Sequence, residues 1–135
     1  MILAKTVAIV NQKGGVGKTT TAVNLTAALG AKGYKTLLID IDPQGNSTSG
    51  FGINKRELVK SSYNVLIGDC PAREAIIKTE FDNVSVMPSS MDLAGAELEL
   101  VDIDKRESKL KTAIAPVKDE FDFILLDCPP SLGLI

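Results

Sequence analysis

The sequence predicts an α/β fold with a mostly parallel sheet, and three observations support that prediction. Short apolar runs rich in β-branched residues alternate with longer segments of helical periodicity. A glycine-rich segment separates the first apolar run from the first helical segment. Two of the apolar runs end in aspartate. Strands and helices that alternate in this way form βαβ units, and their crossover connections make the strands parallel.

The first βαβ unit occupies the N-terminal third of the chain. Residues 5–11 and 35–41 are apolar and β-branched, as expected for strands that are buried on both faces. Residues 19–32 between them have helical periodicity, and Gly33 follows as a C-terminal cap. The predicted apolar stripe of this helix consists of Ala22, Leu25 and Leu29.

The rest of the chain contains shorter elements. Residues 42–52 are rich in proline, glycine, serine and asparagine, so we expect a loop there. Strands are predicted at residues 83–87 and 121–127, and a helix with one apolar stripe is predicted at residues 107–117. Further helices are predicted at residues 61–67, 72–79 and 91–101.

Composition limits the classes of protein to consider. The 135 residues are 44% hydrophobic with a net charge of -2, which suits one globular domain or part of one. No apolar run approaches the roughly 18 to 20 residues that span a bilayer, and no signal peptide is evident, so we expect a cytoplasmic protein without membrane association. The absence of histidine excludes an imidazole base or ligand. Cys70 and Cys128 form no CxxC pair, which argues against a disulfide framework or a zinc site.

The glycine-rich segment is a phosphate-binding loop. Its glycines allow successive backbone N–H groups to turn towards an anion and approach it closely. Lys18 supplies a cation, and Thr19 supplies a hydroxyl of the kind that coordinates the magnesium of a nucleoside triphosphate. The predicted nucleotide-binding residues are Lys13, Gly14, Gly15, Val16, Gly17, Lys18, Thr19 and Thr20.

Acidic residues end two of the predicted strands. Asp127 follows four apolar residues and has the form of a Walker B carboxylate, which holds magnesium directly or through water. Asp40 and Asp42 end the second strand, and in open α/β sheets ligands bind at this carboxyl edge. Structural alternatives stay open, because Asp127 could cap the next turn and Asp42 could be a turn residue before Pro43.

Three motifs in order carry a resemblance to one family. Gln12 replaces the first glycine of the general loop pattern and Lys13 directly precedes Gly14, so the loop resembles the deviant Walker A ATPases of the ParA/MinD class. The segments 40–46 (DIDPQGN) and 127–133 (DCPPSLG) extend the resemblance to ParA/Soj partition ATPases over essentially the whole chain. The resemblance implies a P-loop NTPase-like three-layer sandwich with a mostly parallel sheet. Because that family's proteins are longer, it also implies that residues 1–135 are an N-terminal, incomplete part of the domain.

The resemblance also implies a function and roles for individual residues. The expected activity is Mg²⁺-dependent ATP binding and hydrolysis in chromosome or plasmid segregation. Lys18 would neutralise charge, Asp42 would position the attacking water, and Lys13 would reach the nucleotide of a partner across a two-fold interface. The implied magnesium site consists of Thr19, Asp40 and Asp127.

Partners and a location follow from the same resemblance. They are a second copy of the chain in an ATP-dependent homodimer, a ParB-like centromere-binding protein, and nonspecific DNA contacted through regions absent from this chain. The resemblance also implies association with the nucleoid. The near-neutral charge gives no electrostatic sign of DNA binding within these residues.

Other functions remain as alternatives. A dinucleotide-binding fold fits less well, because Thr20 stands where its third small residue is expected and a Lys18-Thr19 pair has no role on a pyrophosphate. A MinD-like ATPase, or an iron–sulfur scaffold ATPase that uses Cys128, would belong to the same class. A non-catalytic nucleotide-binding fragment is the alternative from a different class.

Overall fold

The computed structural model describes residues 5–9, 16–42, 44–53, 60–90 and 103–127. These residues contain a five-stranded sheet of order β1-β5-β2-β4-β3. Strands β1, β5, β2 and β4 are parallel to one another, and β3 is antiparallel to β4. The mostly parallel sheet predicted from the sequence is therefore confirmed. The strands are β1 Lys5–Ile9, β2 Thr36–Asp40, β3 Ile77–Lys78, β4 Val84–Met87 and β5 Phe123–Asp127.

Helices cover both faces of the sheet. On one face, α1 and α2 enclose a core that contains Leu38 and Leu125. On the other face, α3 and α4 enclose a core that contains Leu37, Ile39 and Ile124. Successive residues of β2 thus face opposite cores, as the two-residue period of a strand requires, and the result is a three-layer arrangement. The helices are α1 Val16–Ala31, α2 Asn46–Gly50, α3 Ser62–Leu66 and α4 Ile103–Ile114.

Helix α1 ends as its sequence predicts. Gly33 has a φ of +95° and its N–H donates to the carbonyl of Gly30 at 3.0 Å. The N–H of Tyr34 donates to the carbonyl of Leu29 at 3.1 Å. These two bonds form a Schellman motif, in which glycine is favoured because the residue adopts a left-handed conformation.

The apolar stripe predicted for α1 is only partly correct. Ala22 and Thr26 are fully buried, whereas Leu25 is 39% exposed. The buried positions follow the four-residue spacing of Ala22, Thr26 and Gly30, and Leu25 lies about 100° around the helix from Thr26. The Thr26 hydroxyl is satisfied within the helix, since it donates to the Ala22 carbonyl at 2.7 Å. A threonine therefore takes the buried place that the hydrophobic pattern assigned to leucine.

Two further expectations are corrected by the structure. Residues 42–52 contain a short helix, α2, rather than only a loop. The helix predicted at residues 72–79 is limited to a 3-10 turn at Ala72–Ala75, which is followed by strand β3. The β-branched residues Ile76 and Ile77 favour an extended conformation there, and β3 pairs with β4 through a turn closed by Thr79.

The other short elements agree with the sequence. Helix α3 confirms the helix predicted at residues 61–67, and α4 begins four residues earlier than predicted. The apolar side of α4 and the turn after it is buried through Leu110, Ile114 and Val117. The helix predicted at residues 91–101 lies outside the described residues. Within the described residues, no helix has the length and hydrophobicity of a membrane-spanning segment.

Candidate functional site

Two aspartates lie side by side at the carboxyl edge of the sheet. Asp40 ends β2 and Asp127 ends β5, and these residues are register partners on adjacent parallel strands. Both are fully buried. Strand β1 pairs with the other side of β5 and places Ile9 level with Asp127. The chain therefore leaves β1 at the same edge before it enters α1 at Val16.

The Asp40 carboxylate is held by three hydrogen bonds. Its Oδ1 accepts the N–H of Asp42 at 3.1 Å. Its Oδ2 accepts both the N–H of Thr48 at 2.9 Å and the Thr48 hydroxyl at 2.7 Å. Burial raises the pKa of Asp40 to about 6, the Thr48 hydrogen bond opposes that rise, and the charge of Asp127 adds to it. The backbone carbonyl of Asp40 also accepts the Ser62 hydroxyl at 2.7 Å.

The Asp127 carboxylate is contacted by α2, the short helix that also contains Thr48. Its Oδ2 accepts a hydrogen bond from the hydroxyl of Ser47, which is fully buried. Its backbone carbonyl accepts the N–H of Ile41 at 3.1 Å. Adjacent residues of α2 therefore serve adjacent carboxylates, because Ser47 donates to Asp127 and Thr48 donates to Asp40.

Asp42 lies directly beyond the end of β2 and is 8% exposed. Its Oδ1 accepts the N–H of Gln44 at 3.0 Å, and its backbone carbonyl accepts the Ser89 hydroxyl. The contact with Gln44 is the local bond expected of a turn-forming aspartate. Asp42 thus shapes the turn in this structure, and its role towards an attacking water stays a prediction.

The predicted nucleotide-binding residues are only partly described. Lys13, Gly14 and Gly15 lie outside the described residues, and the backbone of residues 16–20 forms the first turn of α1. The first N–H groups of a helix have no partners within the helix, so this turn can donate to an anion. The structure describes no side chains for residues 16–20, so the roles of Lys18, Thr19 and Thr20 also remain predictions.

The carboxyl edge fits a magnesium site in part. Paired carboxylates are the oxygen donors that Mg²⁺ favours, and a cation would relieve the repulsion between Asp40 and Asp127. Because Asp40 already accepts three hydrogen bonds, it suits a position near the ion better than direct coordination. Among the described side chains, no group of three Asp, Glu or Cys residues forms a complete metal site. The set of Thr19, Asp40 and Asp127 therefore stays a prediction.

Four hydroxyl residues at this edge were not predicted from the sequence. The run of Ser47 and Thr48 so soon after two strand-end aspartates is a signal that could have indicated hydrogen-bond donors. Ser62 and Ser89 come from distant segments and gave no local signal. All four are buried.

Cys70 gives little support to an iron–sulfur site. Burial raises the pKa of the half-buried Cys70 thiol, whereas cluster ligands are thiolates. Cys128 lies outside the described residues.

Comparison with known proteins identifies the family. The sequence profile described as AAA domain matches residues 4–135. The chain belongs to this family. It is 51% identical over 133 residues to the sporulation initiation inhibitor protein Soj of Bacillus subtilis, covering 98% of the chain and 53% of Soj. It is 48% identical over 133 residues to the chromosome partitioning protein ParA of Myxococcus xanthus, covering 98% of the chain and 47% of ParA. The AAA-domain chain spans about half the length of these curated relatives.

A solved structure agrees with this AAA-domain assignment. Cobyrinic acid a,c-diamide synthase from Mycobacterium smegmatis, with a bound ATP analogue and magnesium, superposes with a TM-score of 0.89 at 41% identity. The match covers 98% of this chain and 55% of that protein. The resemblance to ParA/Soj proteins and the P-loop NTPase-like fold are therefore both confirmed. The family is of the P-loop ATPase type.

Proposed function

We propose that this chain carries the Mg²⁺-dependent ATP site of a partition protein, which hydrolyses ATP and acts in chromosome or plasmid segregation through an ATP-driven dimer cycle. The observation that carries the proposal is the pair of buried carboxylates, Asp40 and Asp127, beside the strand that leads into α1. The chromosome partitioning protein ParA of Myxococcus xanthus supports the segregation part of the proposal. The ATP analogue and magnesium in the similar synthase support the choice of ligands.

The chemistry assigned to these residues is mainly positioning and charge neutralisation. Backbone N–H groups of residues 14–19 hold the phosphates, and Lys18 neutralises their charge. Thr19 and Asp127 would hold a magnesium ion, with Asp40 in its surroundings. A bound magnesium ion supplies positive charge against the phosphate oxygens. Asp42 orients the attacking water, which suits phosphoryl transfer because its loose transition state needs alignment more than covalent chemistry.

Binding and turnover can be tested separately on the protein. Calorimetry with ATP and Mg²⁺ should show binding that EDTA weakens, and a phosphate-release assay should show hydrolysis. Lys18→Ala should weaken ATP binding by about 10- to 100-fold, as expected for the loss of a charge-assisted bond. Asp42→Ala should keep the affinity but lower the rate about 100-fold, because the water loses its alignment.

Lys32→Ala is the matched control for Lys18→Ala, because Lys32 is exposed just after the other end of α1. Lys32→Ala should change neither the affinity for ATP nor the rate of hydrolysis. If wild-type protein binds no ATP, or if Lys32→Ala weakens binding as much as Lys18→Ala, the proposed site is wrong. ATP binding without any phosphate release would instead favour the non-catalytic alternative.

The dimer cycle is a further part of the proposal and rests on Lys13. Its side chain would contact the nucleotide of a second copy, so ATP would favour the dimer and hydrolysis would release it. Light scattering should show ATP-dependent dimers for wild type and for Lys32→Ala, and monomers for Lys13→Ala. A Lys13→Ala protein that dimerises as well as wild type would contradict this role. A ParB-like protein and nonspecific DNA are the proposed partners, in the cytoplasm at the nucleoid.

A further inference from the structure

A closed ring of hydrogen bonds joins three segments of the chain at the candidate site. Its members are Asp40 at the end of β2, Asp42 just after it, Thr48 in α2, and Ser89 after β4. Asp40, Thr48 and Ser89 are fully buried, and Asp42 nearly so. Because water has little access to these groups, a bond lost from the ring is not readily replaced by solvent.

The ring holds the backbone of Asp42 from both sides. Its N–H donates to Asp40 Oδ1 at 3.1 Å, and its carbonyl accepts the hydroxyl of Ser89. The Asp42 carboxylate is then oriented by the N–H of Gln44 at 3.0 Å. The direction of the Asp42 side chain therefore depends on where Asp40 and Ser89 lie.

Thr48 connects those two neighbours of Asp42. Its hydroxyl donates to Asp40 Oδ2 at 2.7 Å and accepts the N–H of Ser89 at 2.9 Å. One hydroxyl thus uses its single donor and one acceptor site inside the core. Valine has nearly the same shape, but it would leave the buried Ser89 N–H without this acceptor and remove one donor from Asp40.

We propose that Thr48 is a positioning residue, which acts through Asp40 and Ser89 to hold Asp42 where it orients the attacking water. This inference rests on the proposed ATPase function. The expected effect is on turnover rather than on affinity, because the ring fixes Asp42, which is assigned to the water, and contains no residue of the phosphate-binding loop. A displacement of about 1 Å in a group that aligns the reactants can lower a rate about 100-fold.

Thr48→Val and Thr48→Ser separate the hydroxyl from the shape of the side chain. Thr48→Val should lower kcat for ATP by about 10- to 100-fold and change the Kd for ATP with Mg²⁺ by less than about threefold. Thr48→Ser keeps the hydroxyl and should restore kcat to within about threefold of wild type. Ser49→Ala is the matched control, since it removes an exposed hydroxyl from the next residue of the same helix. It should leave both constants unchanged.

Hydrogen exchange of the nucleotide-free protein reports on the ring without any activity measurement. The amide of Ser89 should exchange about five to ten times faster in Thr48→Val, because it loses a hydrogen bond worth about 1 kcal/mol. It should keep wild-type protection in Thr48→Ser and in Ser49→Ala. Unchanged protection of this amide in Thr48→Val would show that the ring does not depend on Thr48.

Ser89→Ala provides a second test if Thr48→Val does not fold. It removes only the hydroxyl that donates to the Asp42 carbonyl and leaves the Ser89 N–H in place, so kcat should fall while the Kd for ATP is retained. Normal kcat in a folded Thr48→Val or Ser89→Ala protein would overturn the inference and leave the proposed function standing. Equal losses of kcat and ATP affinity that Thr48→Ser does not rescue would also overturn it, since they indicate a structural role. Absence of hydrolysis in wild type would overturn the proposed function itself.

Discussion

The close packing of Gly30 in α1 against β4 and the turn before it predicts that alanine at this position destabilises the protein. Gly30 is buried in α1, and a Cβ atom built there would lie 2.5 Å from Val84 Cγ2 and nearer still to the carbonyl oxygen of Asp82. Carbon atoms pack best about 3.5 to 4.0 Å apart, so a methyl group must push α1 away from the turn before β4. The carbonyl is backbone and cannot move alone, which places the cost of overpacking near the upper end of about 1 to 3 kcal/mol.

Gly30→Ala should therefore destabilise the protein, although the same change in an open helix would stabilise it. Helix propensity alone favours alanine over glycine by about 1 kcal/mol. Subtracting that gain from the cost of overpacking leaves a net loss of about 2 kcal/mol in the free energy of unfolding. The Gly30 carbonyl also accepts the side-chain amide of Asn83 at 3.0 Å, and a displaced helix would strain that bond.

Urea unfolding followed by circular dichroism measures this difference. Asn24→Ala is the matched control, because it introduces alanine at an exposed position of α1 and should stabilise the protein by a few tenths of a kcal/mol, as helix propensity predicts. If Gly30→Ala is as stable as wild type or more stable, the close contact between α1 and β4 is not a constraint on the fold.

Two further predictions concern charged groups. The pKa of the Asp40 carboxyl group is raised from 3.8 to about 6 in the folded protein, so the folded state binds the carboxyl proton more tightly than the unfolded state does. The stability that this protonation gives is lost as pH rises through about 6. Urea unfolding in EDTA measures this effect. Between pH 5 and pH 7.5, the free energy of unfolding of the wild type should fall by about 1 kcal/mol relative to that of Asp40→Asn. Equal pH profiles for the two proteins would argue against the raised pKa. The Arg73–Glu120 ion pair is exposed, so Glu120→Gln should leave the urea midpoint unchanged, and a clear decrease would show that this pair matters more than surface pairs usually do.

Local signals in the sequence were sufficient to predict the βαβ unit and the position of the Asp40 and Asp127 carboxylates. The cap at Gly33 depends on one residue and its neighbours, and strand-end aspartates are recognisable because the strands before them are apolar. Parallel pairing then brings Asp40 and Asp127 together as register partners. These features could be predicted because each depends on a short stretch of chain or on a general rule of topology.

Other features depend on contacts between distant segments and could not be predicted from local patterns. Helix α2 has the composition of a loop, but Ser47 and Thr48 are buried because their hydroxyls meet carboxylates from two strands. Strand β3 has two residues and is defined by its pairing with β4. Leu25 is exposed because the close approach at Gly30 turns a different side of α1 towards the sheet.

The donors that hold the Asp40 carboxylate explain why it can attract a cation. In the described residues, Asp40 accepts hydrogen bonds only from neutral groups, namely the amides of Asp42 and Thr48 and the Thr48 hydroxyl. Ser47 is likewise a neutral donor to Asp127. Neutral donors orient a carboxylate without cancelling its charge, whereas lysine or arginine would form an ion pair and neutralise it. The raised pKa of Asp40 is the consequence of keeping charge in a buried place. Attraction between opposite charges strengthens where water is excluded, so a divalent cation is attracted strongly to this edge of the sheet. Helix α2 orients both carboxylates towards such a cation through Ser47 and Thr48.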